Sequence, residues 1–365
     1  MIFNKKVARS FHKALLVLGV FIFSFQTTLL ALEQDPHAGE TSHEEEEFNP
    51  GTMIVDHVID AHEWHIMNIG HTHVSVPLPV ILYHRGELHV FMSSKFHHGQ
   101  SAYKGFRIMD HGENKGKIVE EATGELPLDF SITKNVFAML FSMVLLMWIF
   151  ISIGKSYTTR KGKAPKGLQS FLEPLIIFIR DDVAKASIGE KKYEKYLPYL
   201  LTLFFFIFLN NLLGLVPIFP GGANLTGNIA VTMVMAVFTF VITTFSGNKN
   251  YWIHIINTPG VPWWLKIPVP LMPIVELMGV FTKPFVLMVR LFANITAGHI
   301  IVLGFMSLIF IFGTMNPAIG YGVSIVSVAF SVFMFLLELL VAFIQAYVFT
   351  LLSALYFGMA TEEHH

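Results

Sequence analysis

From Pro284 to Thr361 the sequence carries only two formally charged residues, Arg290 and Glu338. An apolar run of that length is a membrane-spanning signature. A guanidinium at bilayer depth costs about 2.5 to over 10 kcal/mol, and it is tolerated only where it faces protein or a water-filled path. Arg290 therefore reads as a functional residue. The bland alternative is an arginine snorkelling to the interface, but about twenty apolar-rich residues follow it before the next turn signal.

The remaining composition narrows the class. Of 365 residues, 53% are hydrophobic and 14% charged, and the mean hydropathy is +0.57. These values describe a polytopic membrane protein. A formal net charge of -1 gives no basic field for nucleic acid. With no cysteine there is no disulfide framework, no thiolate metal site and no thiol nucleophile.

Residues 1–32 read as a signal segment: Lys5, Lys6, Arg9 and Lys13 precede an apolar run from Ala14 to Ala31. An uncleaved first membrane helix is the alternative. Residues 33–130 form a polar, histidine-rich extension expected on the periplasmic side, with twelve of the 17 histidines between His37 and His111. Arg85-Gly86 fits a hairpin turn, and FRIMD-HGENKG-KIVEE a second hairpin, so a small strand-rich domain is expected. His62 and His65, three apart, could share a helical face. Their spacing is not that of HExxH and no third ligand is identifiable, so no metal is expected.

The remainder, 131–365, is expected to be all-α, with about five transmembrane helices. The first covers about 136–153. The basic loop behind it (Lys155, Arg160, Lys161, Lys163, Lys166) marks the cytoplasmic side. An amphipathic piece follows, suited to the interface. A helical hairpin then runs over about 197–216 and 228–246, broken at PIFPGGANLTGN. Asn211 in its first arm either bonds a neighbouring helix or lines a channel. Interfacial Trp263-Trp264 precede a central helix over about 272–312, and the last helix covers about 319–358. Both are longer than the roughly 30 Å of hydrocarbon requires, so they must tilt steeply or protrude. The C-terminus falls inside.

At 100° per residue, Arg290, Asn294 and Ala297 share one face of the central helix, and His299 points the opposite way. Glu276 lies near the arginine face, four turns toward the cytoplasm. On the last helix Glu338 and Gln345 share a face. An antiparallel hairpin would bring Glu338 close to His299. The pattern is two proton paths separated by a fixed positive charge, for which arginine suits because it keeps its proton. A static ion pair between Arg290 and Glu338 is the alternative.

RLFANITAGHI, with KP seven residues and Glu276 fourteen residues before its arginine, resembles the signature of the a subunit of the F-type ATP synthase membrane sector. FLNNLLGLVP and IQAYVFTLLSALYFGMATEEHH resemble other segments of that family, and the extension resembles that of Bacteroidetes-type members. The resemblance implies a stator in the cell inner membrane beside a ring of c subunits, with b subunits of a peripheral stalk and lipid as partners. It implies translocation of H+, with Na+ the less favoured alternative, no cofactor, and no catalysis by this chain, which also lacks a GxxxxGK[ST] phosphate loop. It assigns ion translocation to Arg290, Asn294, Gln345, His299, Glu338, Glu276 and Asn211. The acid and the histidine are exchanged between helices relative to many bacterial members. Gly214 stands where many have an aspartate. A stand-alone ion-coupled secondary transporter is the alternative reading; it would call for an inverted repeat, and none is visible.

Overall fold

The structure, a computed structural model, describes residues 13, 51, 60–69, 72–97, 99, 101–109, 114–159, 163–216, 219–256 and 271–362. Apart from Lys13, the expected signal segment 1–32 lies outside the described residues, as does the Trp263-Trp264 pair.

The N-terminal part is strand-rich. β1 (Glu63–Ile69) pairs antiparallel with β2 (Thr72–Pro77). β3 (Pro79–His84) lies between β4 (Glu87–Met92) and β7 (Leu128–Asp129). β5 (Phe106–Ile108) pairs with β6 (Ile118–Glu120). The β3–β4 turn is Arg85-Gly86, both at positive φ (49° and 89°), as a two-residue hairpin requires. Period-two alternation on β3 buries Val80 and Leu82 against Phe96, Phe106 and Ile118.

The helical expectation for His62 and His65 is corrected here. His62 precedes β1 and His65 lies within it. No helix carries the two residues, so they do not form a helical pair. His62 Nε2 instead lies 2.8 Å from Asp129 Oδ2. Burial disfavours charge on this imidazole, but the hydrogen bond and negative charge of Asp129 outweigh it and raise its pKa.

Among the described residues, five helices are long and apolar enough to cross a bilayer. α1 (Lys134–Thr159) is followed by α2 (Leu168–Phe178), which continues through a π-helical segment, Ile179–Lys185. α3 (Tyr193–Leu215) and α4 (Ile229–Ser246) form the first hairpin. The short α5 (Lys249–Ile256) follows. α6 (Leu271–Met315) and α7 (Pro317–Thr361) are 45 residues each, about 67 Å at 1.5 Å per residue. The spans, two long helices and the strand-rich N-terminal part agree with the sequence expectation.

Local chemistry sets the hairpins. Asn228 caps α4, its side-chain oxygen accepting from the Ala230 N–H at 2.9 Å. Asn316 caps α7 in the same way through Ala318, with Pro317 in the first turn. α7 packs along both α6 and α3, and α4 packs on α6. The shared core includes Phe204, Phe206, Leu287, Leu291, Ala346 and Phe349. The strand-rich part rests on the end of the bundle that holds the α3–α4 loop and the start of α1. Trp64 packs there with Ala138 and Ala223.

Candidate functional site

Arg290 lies near the middle of α6, on a face left exposed with Asn294 and Ala297. An exposed apolar residue shares that face, Val286, one turn before it and 46% exposed. Among the described residues Arg290 makes no ion pair and no hydrogen bond. The static Arg290–Glu338 pair is therefore not formed. Leu287, Leu291 and Ile295, which alternate with the exposed set at helical spacing, are buried against the rest of the bundle.

The opposite side of α6 is organised around a buried acid. Glu338 on α7 is 6% exposed, and its Oε1 has no hydrogen-bond partner. His299 Nδ1 lies 3.6 Å from that oxygen, just beyond hydrogen-bond reach. The approach depends on Gly298, where a Cβ would stand 2.8 Å from Glu338 Oε1 and 3.1 Å from its carboxyl carbon. A buried carboxyl without a hydrogen bond is rare enough to call for a reason.

The α3–α4 loop closes over this pair. A Cβ on Gly214 would meet the Ala223 carbonyl oxygen at 3.3 Å and His299 Nε2 at 3.6 Å. Where a longer residue would fill the space, glycine lets the loop and the imidazole share it. Asn211 donates to the Ala342 carbonyl at 3.0 Å and accepts from the Thr226 hydroxyl at 2.6 Å. Its amide therefore joins α3 to α7 and to the loop. Thr296, one turn before His299, donates to the Gly227 carbonyl at 3.3 Å. Sequence reasoning passed over Thr226, Asn224 and Thr296. The loop was legible as a Pro/Gly break, but nothing in its spacing tells which amide or hydroxyl reaches which helix.

The remaining sequence-derived residues lie apart from the pair. Gln345 is two turns beyond Glu338 on α7 and is 8% exposed. Glu276 is half-exposed near the other end of α6. Burial and, after it, the negative charge of Glu276 push the phenol of Tyr251 on α5 upward. A cleft at that end is lined by Thr243, Thr244, Tyr251, Lys283 and Tyr356. The Lys283 ammonium sits 5.8 Å from the Tyr356 ring centroid. Glu276 and the cleft thus share one end, Arg290 holds the middle, and the His299–Glu338 pair sits toward the other end.

Residues 136–358 match the family described as ATP synthase A chain. The chain belongs to that family. Residues 53–136 separately match a domain of unknown function. ATP synthase subunit a 2 of Prosthecochloris aestuarii is 46% identical over 268 residues, covering 70% of this chain and 78% of the relative. ATP synthase subunit a of Chloroherpeton thalassium is 46% identical over 245 residues, covering 65% and 69%. ATP synthase subunit a 2 of Chlorobaculum tepidum is 47% identical over 268 residues, covering 70% and 72%. As a member of the ATP synthase A chain family with, among the described residues, five helices long and apolar enough to cross a bilayer, the chain is a multi-pass membrane protein.

Proposed function

We propose that this chain is the stationary half of a rotary ion pathway in the inner membrane, held by b subunits and facing a ring of carboxylate-bearing c subunits. The observation that carries this reading is the exposed, unpaired Arg290 at mid-helix. Against lipid such a cation is prohibitively placed. Its partner must come from another chain, and a carboxylate is the group that an arginine selects.

The ion is a proton, and its route divides in two. On the periplasmic side His299 and Glu338 pass it to a ring carboxylate. On the cytoplasmic side the cleft by Glu276 and Tyr356 releases it. Asn294 and Gln345 line the ring-facing passage, while Asn211 fixes the helices around the outer route. Near Arg290 a ring carboxylate loses its proton; turned toward lipid, it must hold one. Arg290 keeps its own proton throughout, so protons cross only by riding the ring. The chain binds no nucleotide, and ATP chemistry belongs to other subunits. A stand-alone transporter would gather its polar groups around one substrate cavity, whereas here they divide between an exposed face and a buried pair.

Replacing Arg290 with alanine tests the reading. ATP-driven proton pumping by membrane vesicles should disappear while the mutant chain still assembles. Normal pumping by an assembled Arg290→Ala enzyme would refute it.

A further inference from the structure

The domain of unknown function is attached to the bundle at two built contacts, and neither belongs to the ion pathway described above. The first is at the start of α1. Asp60 Oδ1 accepts from the Asn135 N–H at 3.0 Å, and the Lys134 N–H donates to the Ala61 carbonyl at 2.9 Å. A carboxylate from the extension thus caps the helix N-terminus, satisfying donors the helix cannot satisfy itself. Asp60 is half-buried, and this burial pushes its carboxyl pKa upward despite the Asn135 bond.

The second contact is Trp64, 4% exposed. Its ring meets Phe137 of α1 edge-on at 5.7 Å and Phe219 of the α3–α4 loop at 5.2 Å. Phe137 and Phe219 are themselves 5.5 Å apart. Val76, the cross-strand partner of Trp64, packs against the same cluster, which includes Ala223. Trp64 is therefore a wedge fixed by a hairpin on one side and pressed onto the loop on the other.

That loop has an inner face as well. The Ala223 carbonyl bears on Gly214 beside the His299 imidazole. The Gly227 carbonyl holds Thr296, and Thr226 holds Asn211. Asn224, 5% exposed, accepts from the Gly227 N–H while its own amide nitrogen is buried without a partner. The loop is bonded to α3 through Thr226 and to α6 through Gly227. It is held from both sides, and a shift of Ala223 or Gly227 would move the wall that His299 rests on.

We propose that the extension is a positioning domain for the outer ion route: Trp64, seated on Phe219 and Ala223, presses the α3–α4 loop against α6 and so fixes the surroundings of His299. Trp64 is a positioning residue, since its ring meets Phe137 and Phe219 and it acts on His299 through the loop. The inference rests on the reading of His299 and Glu338 as the outer proton pair. A freed loop would admit water to that pair, and a change in burial alters the pH at which it charges.

The test uses the assembled enzyme in membrane vesicles. ATP synthesis is measured against the pH of the compartment that bathes the extension. Trp64→Ala should move the midpoint of that profile by about one pH unit, the ordinary size of an environment-driven shift. Trp64→Phe, which keeps an aromatic wedge, should restore it. A merely structural role would lower the amount of enzyme or the maximal rate and leave the midpoint in place. His299→Gln, with Trp64 intact, must move or abolish the same profile. If it does not, the underlying reading of the pair fails. If it does, and an assembled Trp64→Ala enzyme keeps the native midpoint, the positioning inference is overturned and the reading survives. Should Trp64→Ala not assemble, Phe219→Ala removes the loop side of the wedge under the same criteria. Loss of both chains from the membrane would make the contact a folding requirement and would also overturn the inference.

Discussion

One side of α6 presents Arg290, Asn294 and Ala297 to the outside of the chain, while the opposite side packs Gly298 and His299 around the buried Glu338. Both sides carry ionisable groups into a stretch that is otherwise apolar. The acid's surroundings are supplied by this chain: a glycine that makes room, a histidine 3.6 Å away and a loop closing above. The arginine has no such company. A buried group shows what a fold has solved alone; an exposed ionic group at membrane depth shows what it leaves to a partner.

This contrast is most sharply tested by changes that affect only one side. Arg290→Lys keeps a positive charge but loses the fixed protonation and planar fork of arginine. ATP-driven pumping should fall by about a hundredfold or more, as expected when a positioned ionic group is lost, with chain assembly unchanged. Near-normal pumping in the lysine variant would erase the distinction between a fixed and a titratable divider. On the buried side, Glu338→Gln removes the proton-exchanging group without removing its shape. A loss of about a hundredfold in proton flux is expected, the lower range for a positioned acid or base.

Gly298→Ala makes a finer cut. Its new Cβ would stand 2.8 Å from Glu338 Oε1 and force that side chain to move. Flux should drop about tenfold, although alanine is the better helix former by about 1 kcal/mol. Gly304→Ala, on the same helix with nothing within 4 Å of the new methyl, should leave flux unchanged. Equal losses at both positions would mean that the packing around Glu338 is not what matters. Asn211→Leu should act on the joint between helices rather than on the chemistry. It strands the Thr226 hydroxyl and removes a donor from Ala342, at a cost of about 1–3 kcal/mol, read as a lower unfolding midpoint of the purified assembly.

The smallest effect lies in the extension. In the folded chain the pKa of His62 is raised, so its share of stability is complete below 6.5 and is lost as pH rises through the raised value. Asp129 is pulled low by His62 against the opposing effect of burial, so its share is present above 3.8 and is lost as pH falls through the lowered value. Asp60 runs the other way, since burial makes its ionised form costly. Cleavage of the extension by added protease should therefore quicken a few-fold as pH rises above 6.5 and through the raised value, and His62→Leu should flatten that dependence.

Much of this was legible in the residues. Uncharged runs bounded by basic or Pro/Gly-rich segments mark helices, because hydrocarbon admits little else. The faces of α6 follow from helical periodicity alone, which places Arg290 with Asn294 and sets His299 opposite. Arg85-Gly86 announces its turn. The failure at His62 and His65 is equally physical: a short His/Glu-rich stretch has no apolar period to arbitrate between helix and strand, and pairing with β2 decided the matter. The partners of Asn211 and the wedge made by Trp64 were hidden because they join residues far apart in the chain. No local pattern encodes which amide or ring will meet across such a gap.

The length of α6 has a further consequence. A rod of about 67 Å cannot stand upright in a layer of about 30 Å, so it lies aslant or projects from it. Along a slanted rod, a step in depth is also a step sideways. His299 is nine residues beyond Arg290, about 13 Å along the axis, and part of that distance runs parallel to the membrane. Under the proposed function, a slanted α6 would set the two landmarks of the proton route apart sideways as well as in depth, and the proton would have to be carried laterally from one to the other.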